Sequence, residues 1–557
     1  MKNKETLDWI LKSIHGKKHH LVVLTLIQVF IGVFSVLSAF LLKYVTHGIE
    51  IKDDSYFLFS FLLLLLDIIL LVLSNGFYRF LFEYAASDIE NSLKRRMYQD
   101  LLFADYGFVK SHHKEDWINR ISEDTRIVTN NILSILPAFG RMSVQLIFAL
   151  ALILFLSPII GYVIVPVILL LLLLTYFMRK RLKRYHKDVQ EKEGNLKVFL
   201  SESLEGLSIV HSFVKEDMMC KLNDIRLNEH KKSRIKRNNF SILCSLGFII
   251  VYYASFLFGI FFCGMNIING IMDLASLTSI VALLSQIQSP ISQMTSILPH
   301  YYTMIASGER LRIEKAEKKT KVLSNDRIKE EYSSLKEIHF DCISFSYPQS
   351  DEKEKKQDVF SSFSLSIEKG EHIALVGHSG CGKSTLLKLL LSLYPLNQGK
   401  IVLDFGSSSR EIEKIDRNLF GYVPQENLIL KGTIRDVVTF YDPDVDEERL
   451  IDAYKKSMCY DFIMALPKKD LSMLQERGSG LSIGQLQRLS LARAYYSEKP
   501  ILLLDEVTSA LDEACAKEVI RNLFEEKDKT ILFVTHHKED LPSSVRIVKL
   551  GDNYGNK

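Results

Sequence analysis

The sequence predicts two fold classes in one chain of 557 residues: an α-helical membrane region and, after it, a soluble α/β domain. Residues up to about 310 contain long apolar runs, each able to cross about 30 Å of hydrocarbon as a helix. The remainder alternates short apolar runs with turn residues and helical patterns, as α/β domains do. A chain of this length is also too long for one hydrophobic core, so we expect at least two domains.

The overall composition restricts the function classes. The formal net charge is only +4, too small to indicate nucleic acid, and no nucleic-acid partner is expected. The seven cysteines are scattered without a CxxC pair, so they indicate neither a zinc site nor a disulfide framework. This cysteine usage is typical of a soluble half in a reducing cytosol.

The first 20 residues are mainly polar and lack the pattern of a cleavable signal peptide. One amphipathic piece, Leu7–Ile14, precedes Lys17 and Lys18 and is expected to lie along the membrane surface. Because the first apolar run begins directly afterwards, we expect no peptidase domain ahead of it.

Six apolar runs are long enough to be transmembrane helices. They are approximately Leu21–Val45, Tyr56–Phe80, Ile132–Leu156, Ile159–Met178, Ser241–Cys263 and Leu274–Ile297. Lys and Arg are dense in the connections after the second and fourth runs and sparse in the other three. This asymmetry predicts that both termini and the soluble domain lie in the cytoplasm. We expect a multi-pass protein of the plasma membrane.

The two basic connections, about Leu81–Asn131 and Arg179–Phe240, are unusually long and read as helix throughout. Fifty residues without secondary structure are improbable in a compact protein. We therefore expect spans two to five to continue as helices into the cytosol. Each long hairpin is expected to end in a short crossing helix, near Tyr106–Trp117 and Glu205–Val214.

Two ionisable residues lie inside the apolar runs, Asp67 in the second and Arg141 in the third. A lone carboxylate in a span costs about 2.5–3.5 kcal/mol on insertion scales, so each side chain needs a partner or water. Either the two residues form a structural ion pair, or they line an aqueous cavity that takes part in transport. The sequence does not decide between these hypotheses.

A phosphate-binding motif follows a predicted strand, His372–Val376, in the soluble half. The segment Gly377–Thr385 reads GHSGCGKST, which fits GxxxxGK[ST] between a strand and a helix. Glycines let backbone N–H groups turn towards phosphate oxygens, Lys383 supplies positive charge, and Ser384 offers a hydroxyl to Mg²⁺. The motif predicts an α/β P-loop NTPase domain that binds ATP and Mg²⁺. The loop residues expected to contact nucleotide are Gly377, Ser379, Gly380, Cys381, Gly382, Lys383, Ser384 and Thr385.

Two further apolar runs end in residues suited to phosphate chemistry. Ile501–Glu506, ILLLDE, is typical of a buried strand that delivers Asp505 to Mg²⁺. Glu506 is then the candidate to polarise the attacking water. TILFVTHH is a second buried strand ending at His536, which can hydrogen-bond a γ-phosphate. Alone, His536 would be an ordinary strand-end histidine, but beside the other motifs it is predicted to be functional.

A second anion-binding turn lies in ERGSGLSIGQLQR, residues 476–488. Ser482 can cap a helix whose apolar positions continue through Leu486 and Leu489. A capped helix N-terminus with a glycine beside it, here Gly484, favours an anion. This turn has no lysine, which raises the question of why one chain carries two phosphate-binding turns.

As a set, these motifs resemble those of the ATP-binding cassette (ABC) superfamily, in particular exporter-type half-transporters with six spans and one nucleotide-binding domain. The shared elements follow the family's order over nearly the whole chain: Tyr347, the phosphate loop, Gln425 in GYVPQENL, LSIGQ at 481–485, ILLLDE, SALD at 509–512 and His536. The resemblance implies an elbow segment (1–20), a transmembrane domain (21–312), a linker (313–335) and a nucleotide-binding domain (336–557). Since the chain stops soon after its last strand, the family's terminal helices are expected to be short or missing.

The resemblance also implies roles for single residues. Tyr347 would stack on adenine, and Gln425 would sense the γ-phosphate while contacting a crossing helix. Asp512 would lie at the subunit boundary, and Glu476 and Arg477 would touch a crossing helix. The implied catalytic residues are Glu506, His536 and Gln425, and the implied Mg²⁺ ligands are Ser384, Gln425 and Asp505.

In this family the signature turn, here with Ser482, Gly484 and Gln485, binds the γ-phosphate held by the opposite subunit. Two chains would therefore clamp two ATP molecules between them, and the signature needs no lysine because a helix N-terminus supplies its donors. The sequence departs from the family at Ile483, where glycine is usual. Isoleucine disfavours positive φ, but it is tolerated if the position is already helical, which we expect.

The leading functional hypothesis is ATP-driven export of a small amphipathic substrate such as a drug, a lipid or a modified peptide. Two alternatives stay open: an importer of a metal chelate on the same architecture, and an ATP-gated channel or regulator. The expected partners are the lipid bilayer, the substrate and a second half-transporter, either identical or related. Neither the substrate nor the direction of transport is encoded in the motifs.

Overall fold

The computed structural model describes residues 2–112, 114–313, 321–347, 358–426, 429–475, 480–535 and 541–551. The chain divides into two compact units. One comprises Met1–Asp100 and Lys114–Glu314, and the other comprises Leu101–His113 and Lys315–Lys557. The short segment Leu101–His113 is therefore separated in sequence from the unit to which it belongs.

The first unit is built from helices. In chain order, the helices up to residue 311 are α1 (Lys2–Ser13), α2 (Lys18–Ile51), α3 (Asp54–Leu102), α4 (Tyr106–Lys110), α5 (Lys114–Asn119), α6 (Thr125–Leu156), α7 (Pro158–Glu205), α8 (Leu207–Ser212), α9 (Glu216–Ile268) and α10 (Leu274–Leu311). Of these, α4 belongs to the second unit. A short π-helix, Arg120–Asp124, joins α5 to α6. Each of the six predicted apolar runs lies inside one of the long helices, so the predicted helical membrane region is confirmed.

Within the described residues, four helices are long and apolar enough to cross a membrane: His15–Ile51, Asp54–Leu102, Lys114–Leu156 and Glu216–Ile268. Two shorter apolar stretches, Pro158–Val167 and Leu274–Gln288, begin α7 and α10. The count of six spans therefore stays a prediction.

The amphipathic piece at the N-terminus forms α1. Its apolar residues Ile10 and Ile14 are buried in one cluster with residues of α2, α3 and α10. Close approach is possible because α10 carries Gly308, where an added Cβ would lie 2.8 Å from the Ile10 side chain. Helix α1 thus contributes to the core of the first unit through one face, as an amphipathic helix should.

Short helices lie at the tips of both long hairpins. Helix α8 occupies the second predicted position, whereas the first predicted stretch is divided between α4 and α5. Helix α4 begins after Asp105, whose carboxylate accepts a hydrogen bond from the Phe108 N–H at 3.0 Å. Such an N-cap stabilises a helix start by about 1 kcal/mol, which helps so short a helix to form.

Asp67 and Arg141 do not form the ion pair that the sequence allows. Asp67 is only 4% exposed, and neither of its carboxylate oxygens has a hydrogen-bond partner among the described residues. Arg141 lies instead where α6 packs against Gly32 of α2, with its carbonyl oxygen 3.1 Å from the position of an added Cβ. The ion-pair hypothesis is therefore wrong, because packing, and not sequence depth, decides which helix faces meet. The cavity hypothesis stays open.

The second unit contains a cassette of mixed α and β structure. Its strands are β1 (Glu337–Phe345), β2 (Phe360–Glu368), β3 (His372–Val376), β4 (Gln398–Asp404), β5 (Ser409–Glu411), β6 (Phe420–Val423), β7 (Gly432–Thr433), β8 (Met473–Leu474), β9 (Ile501–Asp505), β10 (Thr530–Val534) and β11 (Arg546–Lys549). Its helices are α11 (Asn325–Ser334), α12 (Lys383–Leu390), α13 (Ile434–Thr439), α14 (Glu447–Lys456), α15 (Tyr460–Met464), α16 (Ile483–Tyr496) and α17 (Glu513–Phe524).

The described strands form three sheets. The largest is parallel and has the order β11-β3-β10-β9-β6. An antiparallel sheet has the order β2-β1-β4-β5, and β7 pairs with β8. Strands β9 and β10 are buried along their whole length, as expected for a parallel sheet covered on both faces. The predicted α/β domain is confirmed.

One helix of the cassette was not anticipated from the sequence. The charged linker contains α11, whose residues Ile328 and Tyr332 are buried in the cassette core. The Tyr332 hydroxyl lies 3.0 Å from Thr530 Oγ1, at the start of β10. The end of the linker is therefore attached to the edge of the central sheet opposite the nucleotide loops.

Candidate nucleotide-binding site

The predicted site residues follow neighbouring parallel strands at one edge of the sheet. The phosphate loop comes after β3, Gln425 after β6, and Glu506 after β9. Strand β10 lies between β3 and β9, and β9 also pairs with β6. Because the carboxyl ends of parallel strands meet at one edge, these loops converge there, as ligand-binding loops of open α/β sheets do.

The phosphate loop depends on its glycines. Gly380 and Gly382 have φ of +82° and +99°, which side chains rarely adopt. At Gly377 a Cβ would lie 2.1 Å from the Leu550 carbonyl oxygen, and at Gly382 it would lie 2.8 Å from Val359 and Phe360. The loop therefore curls tightly, and no side chain caps the start of α12. Its N-terminal N–H groups are available to an anion.

Lys383 follows this loop and is only 6% exposed. Its Nζ donates to the carbonyl oxygens of Gly377 and His378, both at 3.0 Å. The ammonium group is thus held inside the curl of the loop, where a phosphate bound by the backbone would meet it. A buried lysine needs such partners, because desolvating its charge without them is costly.

Ser384 and Asp505 form the pair predicted to hold Mg²⁺. The Ser384 hydroxyl donates to Asp505 Oδ1 at 3.0 Å, and Asp505 is 2% exposed. Burial raises the pKa of Asp505, and the nearby charge of Glu506 adds to this, while Ser384, Lys388 and Lys383 act in the opposite direction. A hydroxyl and a carboxylate side by side are hard oxygen ligands of the kind Mg²⁺ prefers. The residues present therefore fit the metal.

Glu506 is held in an unusual backbone conformation. Its φ is +54°, which costs free energy for a non-glycine residue and is common at functional sites. Its N–H donates to the Val534 carbonyl at 3.2 Å, and Gln425 Nε2 donates to its Oε2 at 2.8 Å. The turn thus aims the carboxylate at the end of β6, so the structure brings two predicted catalytic residues together.

A buried glutamine that the sequence analysis missed also supports this turn. Gln487 of α16 donates from Nε2 to the Glu506 carbonyl at 3.1 Å and to Ser509 Oγ at 3.0 Å. Its Oε1 accepts from the Ala510 N–H at 3.2 Å. Gln487 therefore connects the helix of the signature to the loop that carries Glu506. The available signal was a polar residue on the apolar face of a predicted helix.

Tyr347 lies beside the phosphate loop, with its hydroxyl 2.9 Å from Thr385 Oγ1. Its ring packs edge to face on Tyr394, with centroids 5.1 Å apart. Tyr394 in turn makes a similar contact with Tyr106 of α4, at 5.5 Å. A row of three rings, each in the favoured perpendicular arrangement, therefore connects the first crossing helix to the residue predicted to contact adenine.

The signature turn folds as predicted and satisfies its own cap. The Ser482 hydroxyl accepts from the Gln485 N–H at 3.2 Å, and Gln485 Oε1 accepts from the Ser482 N–H at 2.9 Å, which is a capping box. Ile483 is the first residue of α16, has no positive φ and is 67% exposed. Its backbone is therefore unstrained, as expected. Gly484 is required, because a Cβ there would lie 2.7 Å from the Ala510 carbonyl oxygen.

The predicted residues thus fall into two groups. The phosphate loop, Asp505, Glu506 and Gln425 converge, whereas in the described part of the chain no hydrogen bond joins the Ser482 turn to the phosphate loop. Asp512 caps α17 by accepting from the Cys515 N–H at 2.9 Å. The predictions for His536, Glu476 and Arg477 lie outside the described residues.

Two family models match the chain. The model of the ABC transporter transmembrane region matches residues 21–291, and the model described as ABC transporter matches residues 360–509. Together they cover most of the sequence.

Curated relatives and solved structures agree with these models. An ATP-dependent lipid A-core flippase of Pseudoalteromonas translucida is 28% identical, over 86% of this chain and 82% of its own. ABC transporter B family member 1 of Dictyostelium discoideum is 25% identical, over 82% of this chain and 50% of its own. A bacterial Atm1-family ABC exporter with ATP bound has the same fold, with a TM-score of 0.81 at 18% identity, over 96% of this chain and 95% of that one.

With both regions in one polypeptide, this multi-pass membrane protein belongs to the ABC transporter family and is an exporter-type half-transporter whose cassette binds and hydrolyses ATP.

Proposed function

We propose that the protein exports a small amphipathic molecule from the cytoplasm by alternating access, driven by ATP-dependent closure of two cassettes. The observation that carries this proposal is the convergence of Lys383, the Ser384–Asp505 pair and the Gln425–Glu506 pair at one sheet edge. In this arrangement Lys383 would bind the phosphate chain, and Glu506 would activate the water that attacks it. The membrane is proposed to be the plasma membrane, with both termini in the cytoplasm.

The residues divide the work of hydrolysis. The loop N–H groups and Lys383 would bind the phosphates, and Tyr347 would stack on the adenine. Ser384, Asp505 and Gln425 would be the ligands of Mg²⁺. When bound, Mg²⁺ supplies positive charge that offsets the charge of the phosphate oxygens. Glu506 accepts a proton from the attacking water, and the hydrogen bond from Gln425 keeps its carboxylate oriented. His536 is proposed to donate to the γ-phosphate.

The second half of each site is proposed to come from another chain. The turn formed by Ser482, Gly484 and Gln485 is an uncharged helix N-terminus at which Ser482 is exposed. Such a terminus suits a γ-phosphate that another subunit holds. Two ATP molecules would then be sandwiched in one dimer. An identical and a related second half-transporter are equally compatible with this arrangement.

The proposed substrate class is supported by the apolar spans together with polar groups between helices. Gln145 and Ser35 both donate to Gln286 Oε1, at 2.6 and 2.9 Å, and so connect α2, α6 and α10. Helices with such polar faces can line a path for a molecule with both apolar and polar parts. The relative named as a lipid A-core flippase supports a lipid-like amphiphile among the candidates.

Transport by inside-out membrane vesicles tests the proposal. Vesicles with wild-type protein should accumulate a fluorescent amphiphile in the presence of Mg-ATP, and vesicles with Glu506→Gln should not. Accumulation in right-side-out vesicles loaded with ATP would instead support the importer alternative. ATP hydrolysis without flux in either orientation would contradict the transport proposal and favour a regulator.

A further inference from the structure

A cluster of three metal-ligand side chains lies in the first unit, where α2 ends and α10 begins. His47 and Glu50 are on the last turns of α2, and Asp273 precedes α10. One ligand atom from each residue lies within 4.8 Å of the other two. Asp273 is more than 220 residues along the chain from His47 and Glu50, so helix packing, and not local sequence, brings it to them.

The distances in this cluster match a metal site better than a hydrogen-bonded group. His47 Nδ1 lies 3.6 Å from Glu50 Oε2 and 3.8 Å from Asp273 Oδ2, which is too long for a hydrogen bond. Two ligands of one Zn²⁺, each about 2.0–2.2 Å from the metal at a tetrahedral angle, are about 3.4 Å apart. Small side-chain movements would therefore place all three atoms in one coordination sphere.

The Nδ1 atom of His47 is a second observation, because the His47 side chain is 42% exposed but this nitrogen lies on its side towards the Glu50 and Asp273 carboxylates. His47 Nδ1 is shielded from solvent and has no hydrogen-bond partner among the described residues. An imidazole nitrogen in such a position costs free energy unless it binds something. A metal ion between the nitrogen and the two carboxylates would satisfy it. The nearby Lys43, whose charge acts on Asp273, offsets part of the negative charge without supplying a ligand.

A comparable cluster in the cassette lacks these features. Glu337, His339 and Asp404 also lie within 4.8 Å of one another. There, however, His339 Nε2 is already 2.7 Å from Glu337 Oε1, and Asp404 Oδ1 accepts from the Gly406 N–H at 2.8 Å. The histidine of this cluster is therefore already paired with Glu337, and the cluster serves as an internal comparison.

We propose that His47, Glu50 and Asp273 bind one divalent transition-metal ion of the Zn²⁺ type, with water as a fourth ligand. A nitrogen and two carboxylate oxygens are a ligand set that Zn²⁺ accepts. The ion joins α2 to α10, next to the contact between Thr46 and Thr278 at 3.2 Å. Any movement that separates these helix ends must then break metal–ligand bonds, so the bound metal holds them together.

Isothermal titration of the purified full-length protein with ZnCl₂ tests this site. The titration is done in the His339→Ala background, which removes the cassette cluster. We expect one high-affinity ion per chain, and at least about 10-fold weaker binding in each of His47→Ala, Glu50→Gln and Asp273→Asn. Asparagine keeps the helix cap that Asp273 provides, so this variant removes the charge while preserving the start of α10.

The matched control is His19→Ala, which removes an exposed histidine from the other end of α2. It should bind zinc as the background protein does. Equal zinc affinity in His47→Ala and His19→Ala would overturn the proposal. The proposal would also be overturned if the wild-type protein bound zinc with high affinity and the His339→Ala protein did not. A second measurement is the thermal midpoint, which zinc should raise in the background protein but not in His47→Ala. All variants should keep their ATPase activity in zinc-free buffer, which shows that they are folded.

Discussion

Helices α12 and α16 both begin at a turn that the sequence predicts to bind an anion, but the two turns are built in opposite ways. The N-cap of helix α12 is Gly382, which has positive φ and provides no side-chain cap. The first residue of the helix is the buried Lys383. Helix α16 starts at Ser482, whose hydroxyl is engaged in a capping box with Gln485, and its first residue is exposed. The first turn leaves its N–H groups to a ligand and adds a full charge, whereas the second is satisfied within itself.

This difference explains why only one of the turns carries a lysine. The phosphate loop must hold the nucleotide before anything else arrives, so it needs charge as well as a helix terminus. In the proposed dimer, the signature turn would meet a phosphate that is already bound and paired with charge. An uncharged, pre-formed cap is then enough, because its geometry is fixed before contact.

The largest effect is expected for Lys383→Ala. This change removes the only full positive charge inside the loop, so affinity for ATP should fall at least about 100-fold and hydrolysis with it. Equilibrium binding of a fluorescent ATP analogue measures the loss. The comparison of the two turns would be wrong if this variant bound the nucleotide as tightly as the wild type.

The next largest effect is expected for Ser482→Asp, which separates capping from phosphate recognition. Aspartate caps a helix about as well as serine, so thermal stability should change little. Its carboxylate would repel the γ-phosphate, so the ATPase rate should fall at least about 10-fold while ATP binding to the phosphate loop stays.

Ser482→Ala provides the matched control for that experiment. It should cost about 1 kcal/mol of stability and reduce ATPase less than the aspartate does. If Ser482→Asp hydrolysed ATP at the wild-type rate, the signature turn would not meet phosphate at all.

Sequence patterns predicted which strand-end residues converge, such as Ser384 with Asp505, but not the contacts between distant helices. Lys383, Ser384, Asp505 and Glu506 could be found because each lies at a fixed distance from a strand end, and strand ends are recognisable locally. Asp67 could not be understood in this way, because the face that α3 buries depends on packing against other helices. Gln487 was missed for a similar reason: its three hydrogen bonds reach a loop about twenty residues further along the chain.

A smaller effect is expected on stability when the two neighbouring signature residues, Ile483 and Gly484, are each substituted. In Gly484→Ala the new methyl group would meet the Ala510 carbonyl oxygen, so the cassette should lose about 1–3 kcal/mol of stability and part of its ATPase activity. Ile483→Gly should cost less than about 1 kcal/mol, since the exposed side chain loses only helix propensity. Chemical denaturation followed by far-UV circular dichroism measures the stability of both variants. A larger loss in Ile483→Gly than in Gly484→Ala would contradict the structure.

The smallest effect concerns the buried carboxylate of Asp505. Because burial raises its pKa above the unfolded value of about 3.9, the ionised group costs stability at neutral pH. That cost disappears as the pH falls through the folded pKa. Without nucleotide, Asp505→Asn should therefore raise the thermal midpoint at pH 7.5. The difference from wild type should shrink as the pH is lowered towards the unfolded pKa of about 3.9, and a difference independent of pH would show that the charge is not responsible.

The most direct test of the two-chain site is a structure of the Glu506→Gln protein with Mg-ATP, in which hydrolysis is blocked. The account predicts that two cassettes close on two nucleotides, with Ser482 of one chain within hydrogen-bonding distance of the γ-phosphate held by Lys383 of the other. Cassettes that stay apart with ATP bound, or a γ-phosphate contacted only by residues of its own chain, would contradict it.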